Sequence, residues 1–126
     1  MPYQLDIQAL EGYLRVVATG QRQAGQESAD SFEMWLRIAE ASRATGLRRI
    51  LAISWITGRL PTMSAYQVAS QPDKFGWSRD LRLALVDHHP PSREKNAFSA
   101  NVASNRGFTV RYFDDEAAAV AWLLEK

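Results

Sequence analysis

The sequence predicts an α/β fold: one domain with a five-stranded mixed sheet, an antiparallel N-terminal hairpin followed by parallel strands, and about four helices. Three observations carry this expectation. Two period-two runs near the start are separated by Glu11-Gly12, as in a hairpin. A short continuous apolar run at 50–53 and a second at 81–86, interrupted by Arg82, read as strands covered on both faces. Segments of helical periodicity separate these runs, so the strands need crossovers, and right-handed crossovers give parallel pairing.

In the first run Tyr3, Leu5, Ile7 and Ala9 alternate with polar neighbours; in the second Leu14, Val16 and Ala18 share a face. Residues 20–27 are polar and read as a connecting loop. Asp30 and Glu33 have capping-box spacing, and Phe32, Trp35, Leu36 and Ala39 form an apolar stripe, which predicts a helix over 31–45 closed by a left-handed Gly46. After the strand at 50–53 comes a loop, then a short helix with Thr62 as its N-cap, stopped by Gln71-Pro72-Asp73. The strand at 81–86 ends at Asp87-His88-His89-Pro90-Pro91. A helix over 93–106, with Ala97, Phe98, Asn101, Val102 and Asn105 on one side, leads to an edge strand at 108–113. Asp114-Asp115-Glu116 opens the last helix, where carboxylates favour the dipole, and Ala117, Val120, Ala121 and Leu124 form its expected inward stripe.

Composition removes several classes of function. With 126 residues, 46% of them hydrophobic, the chain is long enough for one sizeable core. It contains no cysteine, which removes disulfides, thiol nucleophiles and Cys-based metal centres, and suits a reducing, cytoplasmic setting. Two adjacent histidines give poor metal-ligand geometry, so neither a metal nor a cofactor is expected. A net charge of +1 gives no general attraction for nucleic acid, and no apolar run reaches membrane-spanning length. Neither a GxGxxG nor a GxxxxGK[ST] phosphate loop occurs.

The order of elements, the segment Gly107-Phe108-Thr109-Val110-Arg111-Tyr112-Phe113-Asp114-Asp115-Glu116-Ala117 and the terminal Ala121-Trp122-Leu123-Leu124 resemble the SpoIIAA-like proteins of the STAS superfamily, grouped with the CRAL-TRIO lipid-binding fold. The resemblance covers nearly the whole chain in topology, with its sequence match concentrated in the last strand and helix. It implies a superhelix of strand-helix turns and a bacterial protein of regulatory or binding type. The signalling branch carries Asp-Ser-Ser/Thr-Gly at a helix start, where phosphorylation of a Ser breaks a partner complex. Here the matching stretch reads Leu60-Pro61-Thr62-Met63, with Thr62 as the nearby hydroxyl.

Ligands of open α/β sheets meet the loops beyond the carboxyl ends of the strands. That rule singles out Ser54, Trp55, Thr57, Gly58 and Arg59 after one central strand and Asp87, His88 and His89 after its neighbour, all expected as exposed loop residues whose truncation costs little. Ser54 or Ser64 with His88 and Asp87 has the residue types of a hydrolytic triad, but there is no GxSxG elbow and Asp87 adjoins His88 directly. Trp55, Met63, Tyr66, Phe75 and Trp77 make the middle segment rich in aromatic and apolar side chains, suited to core packing, a partner surface or the mouth of an apolar cavity. Arg48, Arg49, Arg79 and Arg82 are expected at the opposite rim, as a solvated face or an anion patch. The leading expectation is a non-catalytic domain acting through protein contacts, with a partner or as a homodimer. The alternatives are a small-molecule or lipid-binding domain with an apolar pocket, and an enzyme using the Ser54/His88 rim.

Overall fold

A computed structural model describes residues 3–125. Strands β1 (Tyr3–Ala9) and β2 (Leu14–Gly20) form the N-terminal hairpin. Helix α1 (Glu27–Thr45) leads to β3 (Arg49–Ser54), and α2 (Thr62–Ala69) with a 3-10 turn (Pro72–Phe75) leads to β4 (Arg82–Asp87). A second 3-10 turn (Pro90–Ser92), α3 (Arg93–Asn105), β5 (Thr109–Phe113) and α4 (Glu116–Leu123) complete the chain. The sheet runs β1-β2-β3-β4-β5, antiparallel between β1 and β2 and parallel thereafter. The two apolar runs are adjacent, with Ile50 opposite Leu83, and β5 is an edge strand.

Alternate residues of β3 and β4 feed two cores. Ile50, Ala52, Leu83 and Leu85 face the side covered by α1, α2 and α3, where Ile38, Val68, Phe75, Trp77 and Ala103 meet them. Leu51, Ile53, Ala84 and Val86 face the other side, where Ala119 and Leu123 of α4 close over them. Both strands are therefore apolar throughout their middles instead of alternating.

Local differences from the sequence reading have clear causes. Helix α1 starts at Glu27, before the Asp30-Glu33 pair, and the Glu33 carboxylate accepts a hydrogen bond from the Tyr3 hydroxyl. The inward side of α1 carries Ile38, Ala39 and Ser42, while Leu36 is left exposed. On α3 the inward residues are Ala100, Val102 and Ala103, with Phe98 outside; on α4 they are Ala119 and Leu123, with Leu124 outside. In each case small residues let the helix approach the sheet, and the larger apolar neighbours fall to its flank. Pro61, not Thr62, occupies the N-cap of α2. Asp115 caps α4, its Oδ1 accepting from the Ala118 amide at 2.8 Å, and Gly46 caps α1 with φ +74°.

Three of the four arginines expected as an anion patch at the amino-terminal rim, Arg48, Arg79 and Arg82, are engaged within the fold. Arg48 pairs with Asp80 at 3.2 Å, Arg79 lies over the Phe108 ring, and Arg82 lies over Trp122 while donating to its carbonyl. They fasten loop and helix ends to the sheet.

Leu123 is the fully buried anchor of the single helix on its face. Leu123→Ala should lower unfolding free energy by about 2–5 kcal/mol, as for other buried leucines. Urea denaturation measures this, and a loss below about 1 kcal/mol would show that α4 is not needed to cover β3 and β4.

Candidate functional site

The site is built where the chain leaves β2 and β3. Past their carboxyl ends the two strands stay joined: Trp55 N donates to Ala18 O at 2.8 Å, Thr57 N to Gly20 O at 3.0 Å and Arg22 N to Thr57 O at 2.9 Å. Gly58 closes this loop at φ +94°, a conformation that favours glycine, and a Cβ there would meet Arg22 backbone atoms at 3.2 Å. The two segments thus touch at backbone distance. Arg22 Nη1 donates back to Gly58 O at 2.9 Å, which sets the guanidinium at the edge of a cavity.

That cavity, of about 130 Å³, lies between the sheet and α1, α2 and α3. Its wall is mainly apolar: Trp35 from α1, Val68 from α2, Ala103 from α3, Leu85 from β4, and Phe75 and Trp77 from the connection between α2 and β4. Polar groups are fewer and include Ser54, Asn96 and Ser99 together with Arg22, Glu27 and Asp30. Burial holds the Arg22 guanidinium below its usual pKa, and the charges of Asp87 and Glu27 oppose that shift. Tyr3 also lines the cavity, its phenol pushed up by burial and by the hydrogen bond to Glu33. A few polar groups set in an apolar, partly enclosed wall is the usual make-up of a small-molecule site.

Asp87 is fully buried, which corrects its assignment to an exposed loop. Its Oδ2 accepts from Ser92 Oγ and Asn96 Nδ2, each at 2.6 Å, and Oδ1 accepts from His89 N at 2.9 Å. Three donors stabilise a carboxylate that would otherwise carry a large desolvation cost. The result is a clamp that fixes the start of α3 and thereby places Asn96 in the cavity wall.

The other predicted residues separate into distinct places. Ser54 lines the cavity and its Oγ accepts from Ile56 N at 3.2 Å. Trp77 also lines it and is 5% exposed, so it is no partner surface. Trp55 stays outside, stacked on the His88 ring at 3.9 Å between centroids. His88 Nε2 faces Glu116 at 3.8 Å, away from any triad: Asp87 serves Ser92, Asn96 and the His89 amide instead of orienting an imidazole. Thr62 and Arg59 border a separate pocket of about 460 Å³ with His89 and Lys95, and the Thr62 hydroxyl accepts from Lys95. Tyr66 is exposed and its hydroxyl accepts from Arg106 at 3.1 Å. Thr57 is a loop fastener, its hydroxyl donating to Gly20 O at 3.3 Å.

Sequence reasoning missed Arg22 and Asn96. Arg22 sits in the polar stretch read only as a connection, although β2 is itself a parallel strand and the rule of carboxyl ends applies to it. Among the described residues, no group of three or more His, Asp or Glu is placed to hold a metal ion, and no helix is long and apolar enough to cross a membrane. No protein-family model matches the chain, and no curated protein matches it.

Asp87→Ala should destabilise the protein by about 2–4 kcal/mol, because it strands Ser92, Asn96 and the His89 amide. His88→Ala, which removes a partly exposed stack, should cost less than about 1 kcal/mol. Parallel urea titrations check the pair, and equal losses would contradict the clamp.

Proposed function

We propose that the protein is a binding domain whose ligand is a compact apolar small molecule held between the sheet and α1, α2 and α3. The observation that carries this reading is the cavity of about 130 Å³ with a mainly apolar wall and a few polar groups beside it. An apolar cavity of about 150 Å³ accepts benzene or xenon, so this volume suits a single ring or a short branched chain. Rings of Trp35, Phe75 and Trp77 supply much of the contact, Trp35 and Trp77 meeting edge to face at 5.5 Å. No nucleophile-base pair enters the reading, and the role assigned to the chain is retention or presentation of its ligand.

Membership of the SpoIIAA-like branch of the STAS superfamily belongs to the same proposal. Four parallel strands in sequential order, each followed by a helix, support it. The stretch at α2 reads Leu60-Pro61-Thr62-Met63 in place of Asp-Ser-Ser/Thr-Gly, a departure from the signalling branch that argues against a phosphorylation switch.

Contact with a protein partner or a second copy is a second reading, favoured by Met63 and Tyr66 on α2, exposed by 64% and 40%. Met63→Asp would then shift assembled protein to monomer in sedimentation, and unchanged mass would remove this surface from consideration.

The cavity reading has its own test. Toluene, used as a single-ring probe and followed by calorimetry and by tryptophan fluorescence, should bind the protein at about one equivalent, and Ala65→Leu, which grows a side chain from α2 into the cavity, should weaken binding at least tenfold (~1.4 kcal/mol) while the fold persists. Calorimetry and fluorescence titration give both quantities. Undiminished probe binding in a folded Ala65→Leu variant would show that the probe sits elsewhere.

A further inference from the structure

The second pocket, of about 460 Å³, collects positive charge where the loop after β3, the start of α2, the turn after β4 and the first turn of α3 meet. Arg59, His89 and Lys95 line it, and no carboxylate does. Asp87 and Glu94, close to these residues in sequence, stay out of its wall, and Asp87 is buried among its own three donors. Among the described residues no carboxylate lies within ion-pair distance of Arg59, His89 or Lys95.

These cations are placed against the local dipole. Lys95 Nζ donates to the hydroxyl of Thr62, the first residue of α2, which brings an ammonium to the positive end of that helix. The first turn of α2 holds no acidic residue, and Pro61 at its N-cap has no side-chain acceptor. The amides of Thr62, Met63 and Ser64 therefore go uncapped ahead of the first helical bond, from Ala65 N to Pro61 O at 3.1 Å. Like charges gathered at a helix start cost free energy, and an anion among them turns each of those repulsions into an attraction.

We propose that this pocket binds a phosphate group, either free or carried by a small organic molecule. Arg59 supplies a planar fork of donors and Lys95 a compact charge, while the Thr62 hydroxyl, which accepts from Lys95, keeps its own proton to donate. The uncapped amides of α2 add neutral donors of the kind that hold phosphates at helix starts. Leu60, Pro61 and Pro91 give the pocket an apolar side on which an attached organic group can rest. Leu60 alone lines both this pocket and the cavity between the sheet and the three helices, so the site stands whether or not that cavity holds a guest.

Inorganic phosphate and phenyl phosphate are each titrated into the ¹⁵N-labelled full chain at neutral pH, with sodium chloride of matched ionic strength as the control. Both should move the Thr62, Met63 and Ser64 amides in a saturable way at about one equivalent, and chloride should not. Tighter binding of phenyl phosphate assigns the phosphate to an organic ester, and equal binding assigns it to the free ion. Arg59→Gln and Lys95→Gln should each weaken binding roughly tenfold, as for loss of one charge-assisted hydrogen bond. Lys74→Gln removes the same charge from an exposed turn outside the pocket and should change affinity less than about twofold, since salt screens distant charges. If a pocket variant does not fold, the amide shifts of the unaltered chain decide alone. Amides of α2 that do not respond, shifts reproduced by chloride, or an equal loss in Lys74→Gln overturn the proposal.

Discussion

The double-sided burial of β3 and β4 is the constraint on which the rest of the structure depends. Ile50, Leu51, Ile53, Ala84 and Val86 are each at most 1% exposed, which is possible only if helices cover both faces of the sheet. The connections distribute those helices unequally. Three fall on one face and α4 alone on the other, where it closes over Leu51, Ile53, Ala84 and Val86. A single eight-residue helix with Ala119 and Leu123 inward can approach closely and leave a dense layer. On the opposite face α1, α2 and α3 must also meet one another, and small residues at their junction, Ala65, Ala69, Ala100 and Ala103, do not fill the space between them. The cavity is a product of that geometry.

Polar chemistry at the carboxyl ends of the strands keeps the opening in place. The loop after β3 is hydrogen-bonded to the chain after β2, with Gly58 packed against Arg22, and Asp87 holds the entry to α3 through Ser92 and Asn96. Both devices sit at the same rim of the parallel sheet. Their shared consequence is that Arg22 after β2, Ser54 at the end of β3 and Asn96 in the first turn of α3 line the cavity together, with Arg22 held by Gly58 O and Asn96 by Asp87, so its polar edge is preorganised. Such rigidity reduces the ordering cost of taking up a small ligand.

Much of this architecture was legible in the chain, for reasons that differ by element. Apolar-rich runs at 50–53 and 81–86 identify doubly covered strands, and Glu11-Gly12 between alternating runs identifies the hairpin, so sheet composition and the parallel pairing of the Ile50 and Leu83 strands could be read directly. Helix faces were harder. Periodicity weights large apolar residues: it placed Ala39 inward, as found, but also Leu36, Phe98 and Leu124, whereas close packing on a sheet selects Ala100 and Ala119 on the later helices. The site was half legible. The strand-end rule found Ser54 and Asp87 but could not show that Asp87 is buried, since its burial depends on donors from Ser92 and Asn96 that only the turn into α3 brings together. Trp77 was read as part of an aromatic segment, and its place in the wall depends on the 3-10 turn at Pro72–Phe75 turning it under α1.

The central claim is that the space between the sheet and the three helices is a site that admits an apolar guest while the fold stays as it is. Xenon tests this most directly, being apolar, spherical and small enough for a cavity of such volume. Crystals pressurised with xenon should show one strong site bounded by Trp35, Val68, Phe75, Trp77 and Leu85, with the backbone of the surrounding helices unmoved. Xenon absent from that position, with the helices closed over the space, would contradict the account.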